Sequence, residues 1–139
     1  MGEGHRTFDH TGDLGLEVWA DTPERLYARA AEAVLAQTAE VGDDPPAERA
    51  RIAIEGDDPA DLLVAWLNRA LLEAELRRAV WNRARVTALG PREVRGVLEG
   101  PRLDPRRHVL LREVKAVSYH DLELALEPGA CRCRLVLDL

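Results

Sequence analysis

The chain has 139 residues, 46% of them hydrophobic and 32% charged, with a formal net charge of −6. That length allows one domain with a real core, and no apolar run approaches the roughly 18 residues of a membrane span. The acidic balance repels phosphate and disfavours non-specific RNA or DNA binding, although residues 76–139, with 13 Lys/Arg against 8 Asp/Glu (13 − 8 = +5), offset residues 1–75, with 6 against 17 (6 − 17 = −11).

The N-terminal Met1-Gly2-Glu3-Gly4-His5-Arg6 lacks the apolar stretch of a secretory signal, so a cytoplasmic location without membrane attachment is the expectation. Next comes Asp9-His10-Thr11-Gly12-Asp13-Leu14-Gly15, with two carboxylates, an imidazole and a hydroxyl within seven residues. Leu14, Leu16, Val18 and Ala20 alternate, which predicts a half-buried strand with Asp13 at its mouth. A rigid strand end suits a functional carboxylate. An Asx turn feeding the strand accounts for the same residues.

Thr22-Pro23-Glu24 predicts a helix start, with Thr22 as N-cap and Pro23 at N1, and the helix should run to about Thr38. Its apolar positions Leu26, Ala30, Ala33 and Val34, with Gln37, give a narrow, small face. Val41 to Pro46 is a break, and Arg49 to Glu55 alternates as a short strand. Asp58 as N-cap, Pro59 at N1 and Asp61 at N3 open a second helix. Leu62, Leu63, Trp66, Leu67, Ala70 and Leu71 form its wide apolar stripe, so Trp66 reads as core.

From Val80 to Leu98 the pattern turns to strands, with Gly90-Pro91 as a turn. Glu99 to Arg107 reads as a polar, mobile or insertion-tolerant loop. Val109 to Tyr119 should contain a strand carrying Lys115, the sole lysine of the chain. Asp121 to Glu127, with Leu122, Leu124 and Leu126 inward, and Cys131 to Leu139 form a hairpin through Pro128-Gly129. Cys131 and Cys133 share one strand face and read as two small buried hydrophobes. The order strand, helix, strand, helix, then several strands predicts an α+β class, a single domain over 1–139 with a mixed or antiparallel sheet and two main helices.

Three polar groups fall at strand ends without a core role: Asp13, the Lys115–His120 segment, and Asp138 with the Leu139 carboxylate. If the strands bearing Asp13 and Asp138 are neighbours, their oxygens make a hard site for Ca²⁺, Mg²⁺ or Mn²⁺. His10 is open to either a turn-capping or a functional role. Tyr119 and His120 read as strand-finishing residues and Asp121 as a solvated turn residue.

The chain resembles the archease family from end to end. The resemblance rests on His10-Thr11-Gly12-Asp13-Leu14-Gly15, Leu62-Leu63-Val64-Ala65-Trp66-Leu67-Asn68, Lys115-Ala116-Val117-Ser118-Tyr119-His120 and the terminal Leu137-Asp138-Leu139. Gly12 stands where the family usually has alanine, and Ser118 where it has threonine. The resemblance implies an α+β fold and a protein that is not itself an enzyme. It implies activation of the RtcB-type RNA ligase, whose GTP-dependent guanylylation and multiple turnover archeases promote in tRNA splicing and RNA repair, so RNA would be met only indirectly. It also implies a divalent metal held by Asp13, Asp138 and a Leu139 oxygen, with Lys115 in partner activation alongside Asp13, Asp138 and His10. Two other readings remain open: a general chaperone or modulator of RNA-modifying enzymes, acting through an apolar patch or the basic Arg77–Arg107 region, and a stand-alone metal-dependent hydrolase with no clear nucleophile beyond His10.

Overall fold

The computed structural model describes residues 2–139. Among them the elements run β1 (Gly4–His10), β2 (Asp13–Ala20), α1 (Pro23–Ala36), β3 (Ala39–Glu40), β4 (Glu48–Glu55), α2 (Pro59–Arg77), β5 (Arg83–Leu89), β6 (Glu93–Gly100), β7 (Val109–Leu110), β8 (Ala116–Glu127) and β9 (Ala130–Asp138). The class is α+β. The strands form a four-stranded sheet β1-β2-β9-β8, a three-stranded sheet β4-β6-β5 and the short pair β3-β7. Every pairing within them is antiparallel.

Both helices begin where their caps dictate. The Thr22 hydroxyl accepts the Arg25 N–H at 3.2 Å, ahead of Pro23 at the first helical position. At α2 the capping is reciprocal: Asp58 accepts the Asp61 N–H at 2.8 Å, and Asp61 reaches back to the Asp57 N–H at 3.0 Å. Each pairing satisfies main-chain donors that a helix start leaves open. α2 ends on Arg78 in the left-handed region, φ 51.

Each helix contacts both large sheets, α1 through β2 and β5, and α2 through β8 and β4. Between them lie Trp66, Trp81 and Tyr27, all fully buried. Burial leaves ring N–H groups in need of partners, and both find carbonyls: Trp66 donates to Tyr27 O at 2.9 Å and Trp81 to Ala70 O at 3.0 Å. Leu62, Leu63, Trp66, Leu67 and Ala70 of α2 are buried as the spacing predicts, while Leu71, at the edge of the stripe, is only partly buried. The α1 face is broader than expected, because Tyr27, Ala28, Ala31 and Leu35 are buried as well. Cys131 and Cys133 are free and buried, and burial pushes the Cys133 thiol up to about 12.

The structure differs from the sequence reading in three further places. β1 has no counterpart in the hydrophobic pattern, since an edge strand with only Phe8 as a large apolar residue shows no alternation. Residues 109–119 are not one strand: β7 pairs with β3, and the chain then crosses to the four-stranded sheet, where β8 begins at Ala116. Lys115 therefore precedes the strand, with its N–H donating to Asp138 O at 2.8 Å. The 99–107 segment is fastened. Leu103 N–H donates to Arg78 O at 2.7 Å, and the buried His108 bonds Asp44 at 2.7 Å while accepting the Asp104 N–H at 3.0 Å. That hydrogen bond from His108, with Arg107 nearby, holds the Asp44 carboxyl below its usual range.

Candidate functional site

The register of the four-stranded sheet collects the predicted residues at one end. His10, the last residue of β1, pairs with Asp13, the first of β2, across the turn Thr11-Gly12, where Gly12 adopts φ +75. β2 and β9 are neighbours, with Leu14 opposite Leu137. Asp13 and Asp138 therefore sit one step beyond paired positions on adjacent strand ends. Ala116 pairs with Asp138 on the other side of β9, which places exposed Lys115 at the same end. Leu139 follows β9 and is exposed. The Asp13 side chain is about one-third exposed, at 33%, and its Oδ2 lies 3.9 Å from His10 Nδ1. These are partly wet oxygen donors on rigid strand ends, a donor set that fits a hard divalent cation.

Asn68 fixes the approach to this end. Its side chain donates to Val117 O at 3.1 Å and accepts the Val117 N–H at 2.8 Å. α2 thus supplies the hydrogen-bond pattern of a missing neighbour strand to the free edge of β8, just past Lys115. An asparagine beside the apolar stripe of a helix was the signal for this role.

The feature that sequence reasoning missed is the bulge in β8. Ser118 pairs with Val136 and Glu123 with Arg134. Four β8 residues, 119 to 122, therefore oppose Leu135 alone, with Asp121 at φ +54. β1 and β8 are opposite edges of the sheet, yet the bulge brings Asp121 to His10. Asp121 Oδ2 lies 3.1 Å from His10 Nε2 and 3.3 Å from His120 Nε2. The two imidazoles stand edge to face with centroids 5.7 Å apart. His10, His120 and Asp121 offer ligand atoms all within 4.8 Å of one another, a group able to hold a metal ion. The hydrogen bond from His10 and the charge of His120 keep the Asp121 carboxyl below its usual range. On the far side of His10, Nδ1 is buried and makes no hydrogen bond.

The bulge is tied down by Tyr119, whose hydroxyl donates to Asp61 at 2.6 Å. That bond, then the Asp57 N–H, lowers the Asp61 carboxyl, and the same bond pushes the Tyr119 phenol up to about 12. Tyr119, His120 and Asp121 are thus more than strand-finishing and turn residues: they link the start of α2 to the turn after β1. A tyrosine, a histidine and an aspartate in succession interrupt the alternation that resumes at Leu122, and that break was the available signal.

Fold and site together define a small α+β protein that presents imidazole, carboxylate and ammonium groups from both halves of its sequence at one end of an antiparallel sheet. A model of the archease protein family (MTH1598/TM1083) matches residues 5–139, and the chain belongs to that family. Protein archease of Methanopyrus kandleri is 37% identical over 134 residues, covering 94% of this chain and 96% of that protein. Protein archease of Pyrococcus furiosus is 29% identical over 136 residues, covering 95% and 96%. The solution structure of Methanobacterium thermoautotrophicum protein 1598 aligns with a TM-score of 0.79 at 26% identity, over 98% of this chain and 99% of that one. The crystal structure of an archease from Thermotoga maritima, described as a possible chaperone, shares the fold with a TM-score of 0.66 at 20% identity, over 96% of each chain. No helix among the described residues is long and apolar enough to cross a membrane.

Proposed function

We propose that this protein is a non-catalytic activator of an RtcB-type RNA ligase, promoting its GTP-dependent guanylylation and so its repeated turnover in tRNA splicing and RNA repair. The observation that supports this is the convergence of His10, Asp13, Lys115 and Asp138 at one end of the β1-β2-β9-β8 sheet in a member of the archease family. In this reading Asp13, Asp138 and a Leu139 main-chain oxygen hold a divalent cation, of the calcium, magnesium or manganese class. Such an ion would supply positive charge at the tip, where hard oxygen donors suit it. Asp13 and Asp138 position that charge, His10 backs Asp13, and Lys115 presents a compact ammonium to a phosphate or an acidic group of the ligase. The ligase, not this chain, meets RNA.

The test is guanylylation of the cognate ligase with GTP and Mn²⁺, with and without this protein. Asp13→Ala, Asp138→Ala and Lys115→Ala are expected to abolish the stimulation while circular dichroism stays native. Full stimulation by all three variants overturns the reading. A second reading, a chaperone with several clients, draws on the description of the Thermotoga maritima relative as a possible chaperone and on exposed Leu72, Leu76, Val109 and Leu110. It predicts effects on unrelated RNA-modifying enzymes that do not depend on Asp13.

A further inference from the structure

We infer that His10, His120 and Asp121 form a second cation site, distinct from the oxygen site at Asp13 and Asp138 and selective for a borderline metal of the zinc class. The donors differ in kind from the oxygen set. Two imidazole nitrogens and one carboxylate oxygen suit zinc, cobalt, nickel or copper, whereas calcium and magnesium take oxygen. The spacing agrees. Zinc bonds of about 2.0–2.1 Å in a tetrahedron put neighbouring ligand atoms about 3.3–3.4 Å apart, and the two edges ending on Asp121 Oδ2 measure 3.1 and 3.3 Å.

The surroundings support the same assignment. A ligating histidine commonly turns its other ring nitrogen toward a carboxylate, and His10 Nδ1, otherwise without a hydrogen-bond partner, faces Asp13 Oδ2 at 3.9 Å. A metal on Nε2 requires the ring proton on Nδ1, and Asp13 is the carboxylate placed to receive it. The two remaining histidines are committed elsewhere: His5 Nδ1 accepts from Arg29 at 2.7 Å, and His108 is held between Asp44 and Asp104. Both cysteines are buried. His120 and Asp121 are more than half exposed, with side chains at 66% and 56%, so three protein ligands leave a fourth position open to water or to a donor from a partner. The left-handed backbone of the bulge turns Asp121 toward His10, a conformation that aspartate and asparagine tolerate better than most residues.

The inference does not depend on the ligase reading, and its test involves no ligase. Untagged protein is titrated with Zn²⁺ by calorimetry, and with Co²⁺ by visible absorption, in wild type and in His120→Ala, Asp121→Asn and Asp138→Ala. His120 is exposed, and asparagine keeps the backbone conformation, so both ligand variants retain the fold. One equivalent of Zn²⁺ is expected to bind the wild type. Affinity should fall by more than the roughly ten-fold to hundred-fold that loss of an outer-shell partner costs in His120→Ala and Asp121→Asn, because both are direct ligands, and stay within about two-fold in Asp138→Ala. Intense four-coordinate Co²⁺ bands should appear in wild type, disappear in His120→Ala, and survive excess Ca²⁺. Wild-type affinity in both ligand variants, loss of Zn²⁺ binding in Asp138→Ala, displacement of Co²⁺ by Ca²⁺, or no binding by wild type would each overturn the assignment.

Discussion

The four-stranded sheet β1-β2-β9-β8 and the three-stranded sheet β4-β6-β5 both place a glycine of a central strand beneath an aromatic ring. In the smaller sheet the ring comes from the core side: Trp66 of α2 lies against Gly96, where a Cβ would stand 2.6 Å from the ring and 2.6 Å from Arg85 O. In the larger sheet the ring comes from the neighbouring strand. Phe8, paired with Gly15, covers it so closely that a Cβ would lie 2.1 Å from the ring, and the Arg134 guanidinium stacks above Phe8 at 3.9 Å. Trp66 locks a helix onto a sheet. Phe8, by contrast, is half-buried on a face that also carries the β8 bulge and the His10 cluster. One sheet spends its close contact on stability, and the other builds a shaped, partly wet end. The separation predicts that damage to the first costs folding and damage to the second costs activation.

Trp66→Ala is the strongest blow to the packed side. It empties the contact on Gly96 and the bond to Tyr27 O, and should cost about 3–5 kcal/mol, read from the midpoint of urea unfolding. Gly96→Ala forces a methyl against a main-chain carbonyl and Trp66, and should cost about 1–3 kcal/mol in the same assay. Gly15→Ala meets the Phe8 ring first, and that half-buried side chain can yield where a main-chain carbonyl cannot. Its cost should be nearer about 1 kcal/mol, chiefly the lost Arg134 stacking. A larger loss at Gly15 than at Gly96 would break the comparison. At the tip, Asp13→Ala and Lys115→Ala should change stability by no more than about 0.5 kcal/mol while removing stimulation of the ligase.

The smallest effect is electrostatic. Asp61 is depressed by its bond from Tyr119, so its contribution is present above about pH 4 and fades as pH falls through the lower folded value. Tyr119 is raised to about 12, so its contribution is present below about pH 10 and is lost as pH rises toward 12. Tyr119→Phe should return the Asp61 carboxyl toward its ordinary range in an NMR titration and remove the alkaline change in stability. Tyr119 is exposed and Asp61 partly so, and water screens the effect.

Local rules made much of this molecule legible. Thr22, Asp58 and Asp61 announce both helix starts, because capping depends only on neighbours in sequence. The β2 alternation and the Trp66 stripe likewise follow from periodicity. Residue types marked Asp13, Asp138 and Lys115 as candidates, and the sheet register places them at one end. What escaped is what depends on distant partners. β1 has no apolar period because it is an edge strand, and the strand expected through Lys115 breaks because the chain changes sheets between Leu110 and Ala116. The role of Asp121 needs a bulge, a left-handed residue and a histidine from the other edge of the sheet, and no spacing along the chain encodes that meeting.

β9 lies between β2 and β8, yet it is made of residues 130–138 and its partner β2 of residues 13–20. On the ribosome, β2 emerges long before the strand that completes it. Until β9 arrives, β2 presents one unpaired edge to solvent or to any other nascent chain, an exposure that invites wrong pairing. The polar, charged composition of β1 shields the other edge during that wait. Because Asp13 and Lys115 join the same sheet end only when β9 inserts, the tip is assembled last, and a chain halted before residue 130 would carry most of the helical core but none of the assembled site.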